Sequence, residues 1–501
     1  MNSNTLAAEE LTKLQRVRLE KLERLREQGV DPYPPRVVRT HTAAEAVDLF
    51  QSAEAGDALD ELPGAVSLAG RLVSLRIMGR ASFAHIQDGS GRIQLLLKQD
   101  VLGEDAYRFF KELFDLGDFV AVTGRLFRTR TGEITLEADG YKLLSKSLHP
   151  LPEKWHGLKD TETRYRQRYL DLLTNEETRR IFQLRGRIVA AMRQFLDAQG
   201  FLEVETPALQ PLYGGAAARP FITHYNALDQ DVYLRISDEL YLKRLIIGGL
   251  DKVYEICKDF RNEGLSTKHN PEFTMMECYW AYADYNDIMR LVENMVAFVA
   301  HQTLGTEEVI YQGKKVVFTP PWGRISMRDA ILETAGIDIE RHTTLEELQA
   351  AIAERQLAVD SQPTWPKLVD ELFSEYVEPT LIQPTFIIDY PVELSPLAKR
   401  KPDAPHLVER FEPFAGGLEL GNAFTELNDP LDQRARFEAM REQFLAGDEE
   451  AHPLDEDFLA AMMYGMPPTG GLGIGVDRLV MLLTNQSSIR EVILFPQLRT
   501  R

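Results

Sequence analysis

The stretch from Val253 to Tyr282, VYEICKDFRNEGLSTKHNPEFTMMECYWAY, constrains the fold more than any other part of the chain. Two runs of strand-type residues flank a polar segment, which predicts two β-strands joined by a long turn. Because strand side chains alternate between the faces of a sheet, the odd-numbered residues of each arm share one face. These residues are Glu255, Cys257, Asp259, Arg261 and Glu263 on the first arm and Phe273, Met275, Glu277 and Tyr279 on the second.

A single concave surface results if these two faces coincide. It would hold an arginine, two glutamates, an aromatic ring and a phenol, and the turn would add Lys268 and His269. This set of groups suits a flat anionic ligand together with a cationic one, so it predicts a site for a nucleotide and a basic metabolite. The simpler interpretation is a surface hairpin with ordinary cross-strand charge pairs, and such hairpins are more common than active sites.

The length and composition of the chain set outer limits on its function. A chain of 501 residues predicts two or three domains, and 44% hydrophobic with 27% charged residues is globular composition. The 77 acidic and 57 basic residues give a net charge of −20, which argues against nucleic-acid binding driven by overall charge but leaves a local basic face possible. With two cysteines, no long apolar run and no signal peptide, we expect a reducing cytoplasm and no membrane association.

Residues 1–60 predict a helical extension at the N-terminus. The leucines that recur near helical spacing are Leu11, Leu14, Leu22 and Leu25, and lysine and arginine outnumber glutamate around them. Such a helix could lie along an RNA backbone or simply pack through its leucines, and the sequence does not separate these interpretations.

Residues 61–147 have short β-runs separated by glycine turns. About five strands are predicted, which suits a small Greek-key barrel of the oligonucleotide-binding type. Such barrels stack bases on aromatic rings beside cationic side chains, and Phe83 with Arg76 and Arg80 near it is a candidate platform. The alternative for Phe83 is a place in the barrel core.

Residues 148–160 predict an interdomain linker, and residues 161–501 a second domain with a mainly helical insertion around 285–400. A helix over 182–198 is followed by the strand-like FLEVETP. Further on, GGLGIGVDRLVMLL predicts a glycine-rich strand that leads into a helix with Arg478 in its first turn. This turn lacks the lysine and the Ser/Thr of a P-loop.

Several of these segments resemble the class II aminoacyl-tRNA synthetases. FRNEG, HNPEFT and the ExYxAY pattern resemble their motif two in its lysyl form, FLEVETP with its helix resembles motif one, and GGLGIGVDR resembles motif three. RIMGxASF, GRIQL and TGE resemble the anticodon-binding domain of bacterial lysyl-tRNA synthetases. The resemblance covers nearly the whole chain and implies an α+β fold: an OB-fold barrel followed by a class II catalytic domain, an antiparallel sheet flanked by helices.

The resemblance also implies a reaction and its partners. The reaction is the ATP-dependent ligation of L-lysine to tRNA(Lys) through a lysyl-adenylate, with Mg²⁺ as the cofactor and a homodimer formed through motif one. The implied catalytic residues are Arg261 and Arg478. The implied ATP-binding residues are Arg261, Glu263, Lys268, His269, Phe273, Glu412 and Arg478. The implied lysine-binding residues are Gly215, Glu239, Arg261, Glu277, Tyr279, Asn422 and Glu426. Glu412 and Glu419 are the implied metal ligands, and the implied anticodon readers are Arg76, Phe83, Gln94 and Glu133.

Elementary chemistry agrees with several of these roles. A planar guanidinium such as that of Arg261 can bridge a carboxylate and a phosphate. An ammonium group that leaves water needs carboxylate or hydroxyl partners, which Glu277, Tyr279 and Glu426 would supply. Asn422 and Glu426 share strand parity, whereas Glu419 has the opposite parity, so all three can face one site only if the strand is bulged near Gly421.

The sequence departs from the family pattern at a few positions. Tyr213 replaces the usual proline before the double glycine, Ser237 and Asp238 replace alanine and proline, and Lys268 replaces an arginine. We expect Tyr213 and Ser237 to affect the amino-acid side of the pocket. Pro413 stands where leucine or a similar residue is usual, and it predicts an edge strand or a bulge because it lacks a ladder donor.

Three other functions are compatible with parts of this pattern. A relative that loads lysine or an analogue onto a protein would lack the barrel, and an aspartyl or asparaginyl enzyme would not need acidic pocket residues. A non-catalytic RNA-binding paralogue would not need the arginines and glutamates of the predicted site. Lysine-dependent ligation therefore remains the first hypothesis.

Overall fold

The computed structural model describes residues 12–152, 158, 160–445 and 453–499. The chain divides into two compact units, Met1–Gly157 and Leu158–Arg501. Leu11 of the predicted N-terminal helix, together with residues 153–157 and 159 of the predicted linker, lies outside the described residues.

The first unit is a five-stranded closed barrel with helices around it. Its strands are β1 (Val66–Met78), β2 (Ala81–Gln87), β3 (Arg92–Lys98), β4 (Phe119–Arg128) and β5 (Ile134–Ser145). Its helices are α1 (Lys13–Glu27), α2 (Ala43–Ala55), α3 (Gln99–Leu102) and α4 (Glu104–Leu113). The strands close in the order β1-β2-β3-β5-β4, antiparallel except for the β3–β5 pair. The predicted barrel is confirmed.

Helix α1 packs against this unit through its apolar side. Leu22 and Leu25 are buried, and Leu25 belongs to the core that fills the barrel. The buried Arg18 guanidinium donates hydrogen bonds to the backbone carbonyls of Ser147, His149 and Leu116. These contacts favour the packing interpretation of the helix over an RNA-binding one.

The second unit contains twelve helices and fifteen strands among its described residues. The helices are α5 (Thr161–Arg166), α6 (Arg168–Thr174), α7 (Glu176–Ala198), α8 (Glu239–Ile247), α9 (Tyr285–Leu304), α10 (Met327–Ala335), α11 (Leu345–Glu354), α12 (Trp365–Tyr376), α13 (Pro430–Leu445), α14 (Glu456–Met462), α15 (Val476–Leu483) and α16 (Ile489–Val492). The strands are β6 (Leu202–Glu203), β7 (Leu209–Gln210), β8 (Ile222–Tyr225), β9 (Gln230–Leu234), β10 (Lys252–Phe260), β11 (Glu272–Ala281), β12 (Glu308–Tyr311), β13 (Lys314–Val317), β14 (Gly323–Ser326), β15 (Thr385–Pro391), β16 (Arg400–Lys401), β17 (Ala404–Ala415), β18 (Leu418–Glu419), β19 (Gly421–Thr425) and β20 (Thr469–Gly475).

The main sheet runs in the order β14-β15-β17-β19-β20-β11-β10-β6. It is antiparallel except where β14 pairs with β15 and β6 with β10. One face is covered by α7, α9 and α15, and it carries the even residues of β11, such as Met276 and Cys278, in the largest apolar core. The odd residues of β11 therefore point to the opposite face.

Two predicted segments differ in detail from the structure. The helix predicted over 182–198 is α7, which begins earlier because the Asn175 side chain accepts hydrogen bonds from the amides of Glu177 and Thr178. FLEVETP contributes only the two-residue strand β6. Residues 285–400, predicted to be a mainly helical insertion, contain α9–α12 but also β14 and β15, which extend the main sheet.

Pro413 lies opposite a β-bulge. Phe411 pairs with Ala423 and Phe414 with Glu419, so residues 412–413 of β17 lie opposite three residues, 420–422, of the adjacent strand segment. Leu420 occupies the gap, and its amide donates to the carbonyl of Pro413. Because β17 lies between β15 and β19, the expected edge strand is wrong and the expected bulge is confirmed.

Candidate active site

A cleft with a volume of about 390 Å³ opens on the face of the main sheet opposite to α7, α9 and α15. Glu255 pairs with Glu277 and Asp259 with Phe273 across the hairpin, so the two odd-numbered faces coincide as predicted. The predicted residues that line the cleft are Gly215, Glu239, Arg261, Glu263, Lys268, His269, Phe273, Glu277, Tyr279, Glu412, Glu419, Asn422 and Arg478. Glu426 is not among them.

One end of the cleft is cationic and aromatic. The Arg261 guanidinium lies 5.1 Å from the centre of the Phe273 ring, and its Nε donates to the carbonyl of Ile236 at 3.4 Å. Arg478, in the first turn of α15, donates to Glu419 Oε2 at 2.8 Å and lies 3.2 Å from His269 Nε2. Burial and the nearby Arg478 lower the pKa of His269, so this end keeps a neutral imidazole between cations.

Two glutamates face this end from β17 and β18. Glu412 accepts hydrogen bonds from Arg410 at 2.6 Å and from the Tyr390 hydroxyl at 2.8 Å. Burial and the charge of Glu419 together raise the pKa of Glu412 to about 7, against the opposing charge of Arg410. Burial acts in the same direction on Glu419, but Arg478 brings the pKa of that carboxyl below its usual value. Two carboxylates that repel each other, beside cationic side chains suited to phosphates, fit a divalent cation completed by ligand phosphates.

The other end of the cleft is acidic. Glu277 is buried, with Oε1 accepting from the Ser237 hydroxyl at 2.8 Å and Oε2 accepting from the Tyr279 hydroxyl at 3.1 Å. Burial raises the pKa of Glu277 to about 8, and the charges of Asp259 and Glu239 add to the rise. A cation placed here would replace the missing solvation of this carboxyl.

Glu426 lies behind this acidic end rather than on its surface. It is fully buried and forms an ion pair with Lys243, whose ammonium also pairs with Glu239. Only a glycine-floored strand leaves room for it, since a Cβ at Gly471 of β20 would lie 1.8 Å from Glu426 Oε1. The structure therefore places a cation of the protein itself beside the carboxyl that we predicted to bind lysine.

The remaining positions behave as follows. Gly215 has φ 89°, and a Cβ there would lie 2.8 Å from the Ser237 hydroxyl. Only glycine therefore allows the backbone to lie this close to Ser237. Asn422 Oδ1 accepts from Arg410 Nε at 2.9 Å. Tyr213 packs against Tyr233 with ring centres 5.0 Å apart and is not part of the cleft wall.

Sequence reasoning missed Arg410 and Lys243. Arg410 stands two residues before Glu412 on β17, and this spacing was a signal that both side chains lie on one face. Lys243 follows Glu239 by one helical turn, which was a signal for an ion pair but not for one shared with Glu426.

A separate polar face lies on the barrel of the first unit. Phe83 and Arg76 are paired across β1 and β2, and Phe83 is half-buried outside the barrel core, so its predicted alternative as a core residue is wrong. Glu133 accepts from Gln94 at 2.6 Å and lies 2.7 Å from His85 Nε2. The four predicted anticodon readers thus occupy neighbouring strands or the turn before β5, together with His85, which sequence reasoning missed.

Comparison with known proteins assigns both units. Residues 160–499 match the family model described as tRNA synthetases class II (D, K and N), and residues 66–144 match the OB-fold nucleic acid binding domain. Lysine–tRNA ligase of Roseiflexus sp. (strain RS-1) is 58% identical over 98% of this chain and 100% of its own. The lysine–tRNA ligases of Chloroflexus aurantiacus and Bacillus subtilis (strain 168) are 57% and 52% identical, each over 98% of this chain and at least 98% of their own. The chain therefore belongs to the lysine–tRNA ligase family of the class II tRNA synthetases.

Proposed function

We propose that this protein ligates L-lysine to tRNA(Lys) in two steps, through a lysyl-adenylate formed from ATP. The observation that carries the proposal is that one cleft joins a cationic, aromatic end at Arg261, Phe273 and Arg478 to an acidic end at Glu239 and Glu277. The first end suits a nucleotide, and the second suits an amino acid with a cationic side chain.

Activation needs positioning more than proton transfer, since the carboxylate of lysine is already a nucleophile. One of its oxygens attacks the α-phosphorus of ATP, and pyrophosphate leaves. Arg261 holds the carboxylate and the α-phosphate together, because its fork of donors can bond both. Phe273 stacks on adenine with Arg478 on the other face, Glu263 orients the base, and Lys268 and His269 contact the outer phosphates.

Mg²⁺ would be held by Glu412 and Glu419, where it would neutralise charge that develops on the leaving pyrophosphate. Arg410 and Tyr390 fix the orientation of Glu412 for this role. In the second step, the terminal ribose hydroxyl of the tRNA attacks the activated carbonyl and AMP leaves.

Selection of lysine rests on the acidic end. Glu239 and the carbonyl of Gly215 receive the α-ammonium, and Asn422 helps to seat the carboxylate. Glu277, Tyr279 and Glu426 receive the side-chain ammonium, because a cation removed from water needs such partners. Glu426 lies beyond the cleft lining, against Gly471 and on the same side of β20 as Tyr279, where it shares its charge between Lys243 and the substrate.

Phe83 on the barrel should serve as a stacking platform for an anticodon base, beside Arg76, Gln94 and Glu133. Phe83→Ala should weaken tRNA charging by about 10- to 100-fold, since stacking of one base is worth ~1–3 kcal/mol, and should leave adenylate formation nearly unchanged. Phe119→Ala is the control, because Phe119 is another phenylalanine of the barrel, covered by Arg71, that lies outside this group of residues. Equal losses in both steps would mean that Phe83 supports folding instead.

A homodimer completes the proposal. Apolar side chains are exposed on and near the motif-one strand, namely Leu202, Leu209, Ile222 and Leu228, and such patches usually mark an interface. Sedimentation at micromolar protein should give a dimer, and Leu202→Glu should shift it toward monomer. A fully active wild-type monomer would contradict this.

A cytoplasmic location fits the two cysteines, which form no disulfide. Among the described residues, no helix combines the length and apolarity needed to cross a bilayer.

Amino-acid-dependent pyrophosphate exchange, measured with each standard amino acid, tests the proposed reaction. Lysine should support exchange far above the others, and the product should then be transferred to tRNA(Lys). Activation of lysine without tRNA charging would favour another acceptor, and no exchange with any amino acid would favour a non-catalytic RNA-binding role.

A further inference from the structure

Asp238 is a buried carboxyl without a donor. It immediately precedes α8 but does not cap it, and the chain exposes none of its surface. Neither of its carboxylate oxygens accepts a hydrogen bond from any described residue. An ionised carboxylate in that situation is very costly, because burial removes its water and nothing replaces it.

The groups nearest to Asp238 are mostly acidic. One carboxylate oxygen from each of Asp238, Asp259 and Glu277 lies within 4.8 Å of the others. In a second group, one carboxylate oxygen each from Asp238 and Glu255 and the sulfur of Cys257 also lie within 4.8 Å of one another. Arg235 neutralises part of this negative charge. Its Nη1 donates to Glu255 at 2.7 Å, and its Nε lies 3.6 Å from Asp259. The acidic end thus extends beneath the cleft wall.

A charge count over every packed element shows an excess of acid. The acidic groups are Asp238 and Glu239 at α8, Glu255 and Asp259 on β10, Glu277 on β11 and Glu426 after β19. The cationic groups are Arg235, Lys243 and Arg261, and the neutral titratable groups are Cys257 and Tyr279. A bound lysine adds one net positive charge, which is less than the excess, so a proton on a carboxyl of this cluster lowers the electrostatic cost of burying it.

Protonation of Asp238 would give this buried carboxyl a hydrogen-bond partner. A protonated carboxyl has one O–H to donate, and Glu277 is an acceptor within reach that already accepts from Ser237 and Tyr279. Three hydroxyl donors would then converge on the carboxylate of Glu277 and leave it facing the cleft.

We propose that the Asp238–Glu277 pair is protonated in the empty site and that binding of lysine's side-chain ammonium releases a proton from Glu277 to solvent, while Asp238 stays neutral and donates to the carboxylate that forms. Asp238 is thus a positioning residue of the amino-acid pocket. The inference rests on the proposed function, since it names the ligand as lysine. Burial and the charge of Glu277 also raise the pKa of Asp238 well above its usual range, in keeping with this role.

The direct test is calorimetry of lysine binding near pH 7 in two buffers with different heats of ionisation. The wild-type protein should release a substantial fraction of a proton, and the KM for lysine in pyrophosphate exchange should rise up to about tenfold per unit as pH falls below 7, since one proton competes with one cation. Asp238→Leu is similar in size but donates nothing to Glu277, so the ionised form of Glu277 loses one donor and the rise in KM should begin at a higher pH. In Asp238→Asn the amide is neutral and can still donate to Glu277, so proton release and the pH dependence of KM should stay close to those of the wild type. A charged Asp238 would give a different result, because Asp238→Asn would then remove a negative neighbour and Glu277 would ionise at a lower pH.

Two further variants make the result specific. Ser237→Ala removes another donor to the ionised form of Glu277, so it should move the pH dependence upward, in the same direction as Asp238→Leu. Asp105→Asn, on an exposed residue of the first unit, should change nothing. Ionisation of Glu277 at a lower pH with less proton release in Asp238→Asn, no shift in Asp238→Leu, or no buffer dependence in the wild type would overturn the proposal. So would a stoichiometric divalent metal that Asp238→Asn loses. Failure of lysine to support exchange at any pH would instead overturn the proposed function.

Discussion

Replacing Arg261 with alanine should lower kcat/KM for lysine-dependent pyrophosphate exchange by about 100- to 1,000-fold, the usual effect of removing one donor aimed at charge that develops in a transition state. Arg261 lies over Phe273 in the cleft, and in the proposed reaction it alone contacts both reacting groups. Most of the loss should appear in kcat rather than in lysine KM, because the contact that matters is strongest when the α-phosphate carries additional charge.

Arg261→Lys sharpens this result. It keeps the charge but not the planar fork, so it should recover little of the lost activity. Arg290→Ala removes an arginine of the same unit that is mostly exposed and pairs only locally with Asp287, and it should behave like the wild type. Full activity in Arg261→Lys would show that a positive charge is sufficient and that the bidentate contact is not used.

Lys243→Met should destabilise the protein by about 3–5 kcal/mol at pH 8, the range found when one partner of a buried ion pair is removed. Lys243 is fully buried between Glu239 and Glu426, so its loss leaves two carboxyls without a counterion. Burial already raises the pKa of both carboxyls, and Lys243 opposes that rise. Without it they stay protonated to higher pH. Their neutral forms are tolerated below the unfolded-state pKa, and stability is lost as pH rises, so the difference from wild type should shrink at pH 5.5.

Urea unfolding at the two pH values measures this effect. The double variant Lys243→Met/Glu426→Gln should recover part of the loss, because it removes one of the unpaired charges. Lys258→Met is the matched control, since the Lys258 side chain is partly exposed and its nearest carboxylate is 3.9 Å away, and it should change stability by less than about 0.5 kcal/mol. If Lys243→Met is as stable as the wild type at pH 8, then Glu239 and Glu426 are accommodated without a counterion, and the ion pairs with Lys243 do not stabilise the fold.

Periodicity was sufficient for the parts of the site that lie on regular strands. Alternation placed Arg261, Phe273 and Glu277 on one face, and the opposite parity of Glu419 and Asn422 predicted the bulge now seen at Leu420. The glycine-rich strand and its helix placed Arg478 correctly. These inferences succeeded because they depend only on neighbours in sequence.

The acidic end could not be predicted in the same way. The packing of α8 across β11 and the course of the segment after β19 decide these contacts. They determine that Lys243 pairs with Glu426 and that Asp238 lies against Glu277. Such contacts join residues that are distant in sequence, and no periodic pattern encodes their depth below the cleft. The sequence predicted which residues are acidic there but not which ones are buried.

The bare strand β20 gives the cleft a floor made of backbone at Gly471 and Gly473. A floor without side chains leaves space on the cleft side of β20, where Glu426 lies against Gly471 and pairs with Lys243. Selectivity can then be altered by a buried residue outside the cleft lining, such as Lys243, because little protein lies between its charge and a bound molecule to screen it. Two relatives with identical cleft surfaces could therefore differ in the amino acid they prefer, and the cause would lie one layer below the residues that a contact map of the ligand records.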